Sequence, residues 1–208
     1  MKILVTGGCG FIGHNVCLNL VSKGHQVVCV DKYKAPFVNS VPEIEFIEKD
    51  LFSSELGDTI SAKEFPKVDG IIHLASSSIP ETSNLDIYKD ASENILGALR
   101  LLNYAKITDT KFFVFMSSGG TVYGPQPYDC ISEDAEKSPI CSYGATKLAI
   151  ENYMRLYNQQ YGICTLALRL ANPYGRFQRV DSKQGVIPIF CRKALLNEEI
   201  QIFGDGSI

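Results

Sequence analysis

The sequence predicts a doubly wound α/β domain, in which helices cover both faces of a parallel sheet. Short apolar runs alternate along the chain with longer segments of helical period. Most of these runs consist almost continuously of Val, Ile, Leu or Phe, which is typical of strands that are covered on both faces. Strands that alternate with helices in this way pair in parallel through helical crossovers.

Six strands are predicted from these runs, at Lys2–Thr6, Gln26–Asp31, Ile44–Glu48, Gly70–Leu74, Lys111–Ser117 and Cys164–Leu170. A first helix opens directly after the first strand, at a glycine-rich segment. Apolar side chains three and four residues apart then predict two long amphipathic helices, one from Leu85 to Ala105 and one from Tyr143 to Tyr161. Each long helix precedes a strand, as a crossover helix does.

The last residues follow a different pattern. A polar loop begins at Asn172, a helical stretch follows at Val186–Leu196, and a short apolar piece comes at Ile200–Phe203. We therefore divide the chain into a doubly wound part, residues 1–171, and the start of a small substrate-facing part, residues 172–208. Nothing in this second part could fold by itself, and we expect the chain to be a fragment that is truncated at its C-terminal end.

Composition excludes several classes of protein. Among 208 residues, 20 Lys and Arg stand against 23 Asp and Glu, so no basic surplus is present to bind a nucleic acid. No apolar run reaches the roughly 18 residues of a membrane span, and the N-terminus lacks a signal-peptide cleavage site. The seven cysteines are scattered and contain no Cys-x-x-Cys pair, which argues against disulfides and zinc. We expect a soluble cytoplasmic protein without a metal.

A dinucleotide site is predicted at the glycine loop, which we define as residues 7–13. This loop lies between the first strand and the first helix, where glycines allow a tight turn and close approach of a pyrophosphate to the helix N-terminus. The spacing is G-x-x-G-x-x-G. The loop residues assigned to the dinucleotide are Gly7, Gly10, Phe11, Ile12 and Gly13.

The end of the second strand indicates which dinucleotide binds. Asp31 comes 18 positions after Gly13, where a carboxylate can accept both ribose hydroxyls and repel a 2′-phosphate. NAD is therefore favoured over NADP, although Lys32 and Lys34 weaken that preference.

A catalytic pair is predicted at the start of the second long helix. Tyr143 and Lys147 are four residues apart and share one helix face, so the ammonium can lower the pKa of the phenol and make it a useful base. Ser117, Ser118 and Thr121 follow the fifth strand at the edge of the sheet where ligands bind in this class of fold. A hydroxyl there can polarise the oxygen that the tyrosine deprotonates.

These features together resemble the extended short-chain dehydrogenase/reductase family, specifically its NAD-dependent nucleotide-sugar epimerases and dehydratases. The resemblance covers essentially the whole chain. It rests on motifs that occur in order: the glycine loop, Asp31, Asp50-Leu51, His73-Leu74-Ala75, Asn94-x-x-Gly97, SGGTVYG at Ser118–Gly124, YGATK at Tyr143–Lys147, and Arg169-x-x-Asn172-Pro173-x-Gly175.

The resemblance implies a role for each matching residue. Tyr143 is the acid and base, and Lys147 holds the nicotinamide ribose and tunes Tyr143. Asn94 organises the fold near the cofactor, Asn172 contacts the diphosphate of a nucleotide sugar, and the segment Val186–Phe203 forms part of the nucleoside pocket. The remaining cofactor contacts are assigned to Asp31 at the adenosine ribose, Asp50 and Leu51 at adenine, and Leu74, Ala75 and Ser76 on the path to the nicotinamide. Lys32 and Ser117 are also assigned to the cofactor, without a particular group.

One departure from the family bears on the chemistry. Gly119 stands at the position that carries the catalytic Ser or Thr in UDP-glucose 4-epimerases, so the hydroxyl is expected from Ser118 or Thr121, with Thr121 slightly favoured. Dehydratases resemble one another in having Asp-Glu where this chain has Gly120-Thr121, and uronate decarboxylases have Glu at the second position. The resemblance therefore implies neither dehydration nor decarboxylation.

The function expected from the resemblance is epimerisation of a nucleotide sugar. The favoured reaction inverts C4 of a UDP-hexose through a 4-keto intermediate with tightly bound NAD, in a homodimer. Two alternatives stay open: an NAD(P)-dependent reductase or dehydrogenase acting on a sugar-like substrate, and a dinucleotide-binding protein without catalysis.

Overall fold

The apolar runs form one parallel sheet of six strands. The strands are β1 (Lys2–Thr6), β2 (Gln26–Asp31), β3 (Ile44–Glu48), β4 (Gly70–His73), β5 (Phe112–Ser118) and β6 (Cys164–Leu170). All neighbours pair in parallel, in the order β3-β2-β1-β4-β5-β6. The doubly wound fold is thus confirmed, and each strand agrees with its predicted bounds to within one residue. The order reverses between β1 and β4, which opens a crevice at the carboxyl ends of these strands.

This computed structural model describes residues 1–53, 57, 59–61, 64–127, 130–179, 185–202 and 204–205. The chain divides into two compact units, Met1–Ala171 and Asn172–Ile208. The sheet lies in the first unit. In the part of the chain just specified, every helix is too short or too polar to span a bilayer.

Helices flank the strands of the first unit. They are α1 (Phe11–Ser22), α2 (Pro80–Ser83), α3 (Ile87–Ile107) and α4 (Ser142–Tyr161), with a 3-10 turn at Pro36–Asn39. The predicted start of α3 at Leu85 is wrong. Asp86 is the N-cap and accepts the Lys89 N–H, so the helix begins at Ile87 and Leu85 stays 83% exposed. The last of these helices, α4, ends at Tyr161, and its C-cap Gly162 has a φ of +70°, which suits glycine.

The core explains why the central strands are almost continuously apolar. Leu4 and Val28 face one side of the sheet and pack with α3 and α4, whereas Ile3 and Val27 face the other side with Cys17 of α1. Successive side chains point to opposite faces of a strand, so a sheet that is covered twice needs an apolar residue at nearly every position. These two layers hold the carboxyl ends of the strands, and the loops that follow them, in fixed positions.

The second unit contains one described helix, α5 (Val186–Leu195), which ends one residue before its predicted limit. None of the α5 residues is buried. Phe203, which belongs to the segment assigned to the nucleoside pocket, lies outside the described residues.

Candidate active site

The glycine loop follows β1 and packs its own backbone against α1. Gly7 turns the chain with φ +66° and donates its N–H to Val30 O at 2.9 Å. A Cβ on Gly13 would lie 2.1 Å from Gly7 O, so only glycine lets the helix approach the loop this closely. Gly10 is the N-cap of α1 and provides no side-chain cap. The first-turn N–H groups of α1, around half-buried Phe11 and Ile12, therefore remain suited to an anion such as a pyrophosphate.

Asp31 connects this loop to the end of β2. Its Oδ2 accepts the Cys9 N–H at 3.0 Å, and the residue is half-buried. The neighbouring Lys32 is exposed, with its Nζ 5.3 Å from the centre of the Tyr33 ring. A carboxylate at the end of β2 beside the glycine loop fits the ribose of a dinucleotide.

The two residues assigned to adenine are placed differently from each other. Asp50 is exposed, and its Oδ1 accepts the Phe52 N–H at 3.0 Å. Leu51 is 4% exposed and belongs to the core on the α3 side of the sheet. Of this pair, the side chain at the surface is therefore that of Asp50.

The segment after β4 is held by buried polar groups. Thr6 Oγ1 accepts the N–H groups of Leu74 and Ala75, at 3.3 and 3.4 Å, and lies 2.7 Å from His73 Nδ1. Burial, with a smaller effect of the Lys147 charge, lowers the pKa of His73 to about 3, so the ring is neutral. A Cβ on Gly7 would lie 2.8 Å from Ala75 N, so the glycine loop and this segment are in contact.

Asn94 of α3 fixes the serines that come next. Its Oδ1 accepts the Ser77 N–H at 3.0 Å and the Ser76 hydroxyl at 3.3 Å, while its Nδ2 donates to Ser77 Oγ at 2.9 Å. The residue is 6% exposed. The contacts of Asn94 thus shape the segment that follows β4, within which Ser76 is exposed.

Tyr143 and Lys147 lie together in the first two turns of α4. Lys147 is 5% exposed, and its Nζ donates to Met116 O of β5 at 3.0 Å. The same Nζ lies 5.1 Å from the centre of the Tyr143 ring and 4.6 Å from that of Phe115. The predicted pair is therefore formed, next to the carboxyl end of β5.

The electrostatics of the pair differ from the sequence-based expectation. Burial raises the pKa of Tyr143, and the charge of Asp90 adds to that rise. Burial lowers the pKa of Lys147 to about 8, against an opposing effect of Asp90. The expected lowering of the tyrosine pKa by lysine is not found, because desolvation of the phenol dominates and the charge of Asp90 acts in the same direction.

Three hydroxyl side chains lie at or just after the carboxyl end of β5, and they differ in burial and hydrogen bonding. Ser117 is 3% exposed and donates to Glu151 Oε1 at 2.5 Å, so its hydroxyl is already engaged. Ser118 ends β5 and is half-buried. Thr121 Oγ1 is buried and has no hydrogen-bond partner among the residues that the structure describes. An orphaned buried hydroxyl costs about 1–3 kcal/mol, which is expected where a ligand completes its bonding.

The loop that carries Thr121 is anchored on both sides. Gly119 donates its N–H to Leu170 O of β6 at 2.8 Å, and a Cβ there would lie 2.9 Å from Arg169 O. On the other side, a Cβ on Gly144 would lie 2.5 Å from Thr121 O. The loop backbone therefore packs directly against the turn of α4 that bears Tyr143 and Lys147.

An ion pair that was not predicted from the sequence lies behind this loop. Arg169 Nη2 lies 2.7 Å from Glu151 Oε2, and its Nη1 donates to Tyr123 Oη at 2.7 Å. Together with the Ser117 bond, this pair ties α4, β5, β6 and the loop to one another. One feature of the sequence could have indicated that Glu151 lies near the site, because it follows Lys147 by four residues and so shares its face of α4.

The remaining assigned residues lie in the second unit. Asn172 is its first residue and is exposed, and Val186 begins α5 with 57% exposure. Their assignment to the nucleotide sugar stays a prediction. Within the described ranges, no group of three or more His, Cys, Asp or Glu side chains could hold a metal ion.

Comparison with known proteins gives a family match over almost the whole chain. The model of the NAD dependent epimerase/dehydratase family matches residues 3–208. A putative UDP-glucose 4-epimerase of Methanocaldococcus jannaschii is 36% identical over 99% of this chain and 67% of its own length. A dTDP-4-dehydro-6-deoxyglucose reductase of Escherichia coli is 34% identical, over 97% of this chain and 65% of its own.

Crystal structures of epimerases share the fold. The UDP-glucose 4-epimerase of Thermotoga maritima with UDP-glucose superimposes with a TM-score of 0.87 at 35% identity, over 99% of this chain and 67% of its own. The Thermus thermophilus enzyme in complex with NAD gives 0.84 at 32% identity, over 96% and 64%. The chain thus spans about two thirds of the length of the proteins it matches.

Proposed function

The chain belongs to the NAD-dependent epimerase/dehydratase family, and we propose that it is the catalytic part of a nucleotide-sugar 4-epimerase. The observation that carries this proposal is the Tyr143–Lys147 pair on α4, with the unpartnered Thr121 hydroxyl in the loop packed against the same helix turn. An acid–base group, a cation and a neutral donor around one crevice are what a reversible oxidation of an alcohol requires.

NAD is the cofactor of this family, and the residues present fit it. The glycine loop and the uncapped start of α1 suit the pyrophosphate, and Asp31 suits the adenosine ribose. When bound, NAD supplies a hydride acceptor and a positively charged ring. We propose that it stays bound through the cycle, because an epimerase returns the hydrogen that it removes.

The chain's own residues handle the proton in this mechanism. Tyr143, as the phenolate, takes the proton from the sugar 4-hydroxyl and later returns it to the 4-keto oxygen. Burial raises the pKa of Tyr143. We propose that the Lys147 ammonium, together with the positive charge that bound NAD would supply, favours the phenolate against this effect. The Thr121 hydroxyl donates to the sugar oxygen, and its orphaned state supports it over Ser118 for this role. The 4-keto sugar turns about its diphosphate tether before the proton returns.

We propose a UDP-hexose as the substrate. The names of the M. jannaschii and T. maritima relatives support this class. Asn172 and Val186 are proposed to bind the diphosphate and the nucleoside, as the family resemblance implies. Elimination of water is not proposed, because Gly120 and Thr121 provide no acid and base.

We further propose a homodimer in a reducing, cytoplasmic compartment. Leu96 on α3, and Tyr153 and Leu156 on α4, are 39–49% exposed and provide apolar area for a second copy. All seven cysteines are free thiols, which suits a reducing compartment. Sedimentation velocity would detect the dimer, and a monomer at micromolar concentration would contradict it.

The test of the proposed function is Tyr143→Phe, with Tyr153→Phe on the same helix as the matched control. Interconversion of UDP-glucose and UDP-galactose should fall at least about 100-fold in Tyr143→Phe, because general acid–base groups contribute about 10²–10⁴. The control should keep its activity. NAD released by acid from both variants should remain near one per chain. Loss of less than about tenfold in Tyr143→Phe would remove the tyrosine from this role.

A reductase is the second candidate, and the E. coli reductase among the relatives favours it. The two functions differ in cofactor balance. An epimerase shows no net change in absorbance at 340 nm during turnover, whereas a reductase consumes NADH or NADPH in proportion to product. Full NAD binding without either activity would favour a dinucleotide-binding protein that lacks catalysis.

A further inference from the structure

A buried carboxylate outside the predicted site lies behind the catalytic pair. Asp90, in the first turn of α3, is 3% exposed. Its Oδ2 accepts the Ser142 hydroxyl at 2.5 Å and the Thr146 hydroxyl at 3.0 Å, and its Oδ1 accepts Asn94 Nδ2 at 3.0 Å. The Ser78 hydroxyl donates to Oδ1 as well. One side chain thus connects α3, α4 and the segment after β4.

Two of these partners are the sequence neighbours of the catalytic residues. Ser142 precedes Tyr143, and Thr146 precedes Lys147. Because residues four apart share a helix face, a single carboxylate holds both positions and fixes the rotation of α4 about its axis. The faces that bear Tyr143 and Lys147 are thereby fixed as well.

The charge of Asp90 is compensated by neutral donors. Among the described residues, no Lys, Arg or His nitrogen lies within 4.0 Å of its carboxylate. A buried negative charge of this kind acts on other charges over a longer range, because the protein interior screens weakly. Lys147, itself buried, is the cation of the site.

We propose that Asp90 is a positioning residue for the reaction, which orients Tyr143 and Lys147 and keeps the buried Lys147 ammonium protonated. This inference rests on the proposed function only for the roles of Tyr143 and Lys147. The hydrogen bonds from Ser142 and Thr146 carry the orienting part, and the buried negative charge carries the electrostatic part.

The sign of the electrostatic effect is the same for both members of the pair. Asp90 raises the pKa of Tyr143, and it raises that of Lys147 against the larger lowering by burial. Loss of this charge should therefore move both titrations to lower pH. Lysine would then lose its proton closer to neutrality, and the cation needed by the phenolate would be partly lost.

Other ionisable groups around the pair do not duplicate this charge. His73 of β4 is neutral, and Glu151 of α4 is paired with Arg169 of β6. On α3, Lys89 and Glu93 lie within 4.0 Å of each other. The Cys141 thiol, just before α4, adds a smaller upward effect on the pKa of Tyr143.

The experiment is a titration of the 208-residue chain without substrate, which makes it independent of any epimerase activity. Tyrosine labelled with ¹³C at Cζ and lysine labelled with ¹⁵N at Nζ report the two groups by NMR. Tyr143→Phe and Lys147→Met assign the signals. In Asp90→Asn, both midpoints should move to lower pH. In Ser142→Ala, which loses one hydrogen bond but keeps the charge, they should stay near those of the unmutated chain.

Each outcome decides a part of the proposal. Unchanged or raised midpoints in a folded Asp90→Asn chain would overturn the electrostatic role. Equal shifts in Ser142→Ala would reduce Asp90 to a structural residue. If Asp90→Asn does not fold, Asp90→Ser makes the same charge change. The unmutated chain provides a further test, because a carboxylic acid rather than a carboxylate at Asp90 at pH 7, seen by ¹³C NMR, would overturn the proposal without any variant.

The pH dependence of activity provides a second measurement, because a change in fold stability alone would not shift it. Both limbs of the pH profile of kcat/KM should shift to lower pH in Asp90→Asn, and a uniform loss at every pH without such a shift would contradict the electrostatic role. If Tyr143→Phe is fully active, the proposed function fails, while the midpoint shifts of Tyr143 and Lys147 remain a separate result.

Discussion

Replacing Gly13 by Ala tests the geometry of the glycine loop. The new Cβ would lie 2.1 Å from Gly7 O and 2.6 Å from Gly8 Cα, whereas ordinary van der Waals contact begins near 3.4 Å. Both atoms belong to the backbone, so no rotamer change relieves the clash and the loop must retreat by about 1 Å. Overpacking of this kind lowers the free energy of unfolding by about 1–3 kcal/mol, and we expect a loss of about 3 kcal/mol here.

The substitution should lower both the melting temperature and the affinity for NAD, and calorimetry measures both quantities. For a chain of this length each kcal/mol lowers Tm by about 2–4 °C, so Tm should fall by about 6–12 °C. Loss of one charge-assisted hydrogen bond to the pyrophosphate costs about 1.5–3 kcal/mol, which is a loss of roughly tenfold to hundredfold in NAD affinity.

Gly120→Ala is the matched control for this variant. A Cβ on Gly120 meets no atom within 4 Å, and the residue is exposed. Its Tm and NAD affinity should therefore stay near those of the unmutated chain. If Gly13→Ala melts at the same temperature as this control and binds NAD equally well, the close contact between α1 and the glycine loop is not needed for stability or for NAD binding.

Three more predictions follow from the site. Asp31→Ser should lower NAD affinity at least about tenfold and raise the NADP-to-NAD affinity ratio, because the carboxylate that repels a 2′-phosphate is removed; calorimetric titration with both nucleotides measures the ratio, and an unchanged value contradicts the assignment. Burial lowers the pKa of His73 from 6.5 to about 3, so its contribution to stability is complete above about pH 6.5 and is lost as pH falls toward 3. His73→Gln should flatten this part of the plot of Tm against pH, and parallel plots would show that another group is responsible. Glu151→Leu leaves the half-buried Arg169 without its carboxylate and should cost about 2–3 kcal/mol in urea denaturation. Glu151→Gln, which keeps an acceptor for Ser117, should cost less, and equal losses would argue against the ion pair.

The strands and the dinucleotide loop were predictable because they depend on local sequence. Strands β1, β2 and β4 have apolar neighbours on both faces, so their bounds in the sequence are sharp, whereas one face of β6 exposes Leu166 and Leu168. The role of Gly13 follows from its spacing to Gly7, and the approach of Tyr143 to Lys147 follows from the helix repeat. The cap at Asp86 is also a local signal, and its omission explains the wrong start of α3.

The rest depends on contacts between residues far apart in the chain. Asp90 meets Ser142 across 52 positions, and no periodicity in either segment indicates that pairing. The pKa direction of Tyr143 was missed for a related reason. Spacing places Lys147 on the same face, but it does not reveal that tertiary packing buries the phenol and brings the charge of Asp90 near it.

The closed backbone at Gly119 constrains how this chain can evolve. A serine at that position, where the family resemblance implies a catalytic Ser or Thr, would place its Cβ 2.9 Å from Arg169 O. The outer strand would have to shift first, which would disturb the ion pair between Arg169 and Glu151. A serine at position 119 would therefore require a compensating shift of β6. Epistasis between β6 and the catalytic loop therefore preserves the glycine and leaves Thr121 as the accessible position for a hydroxyl.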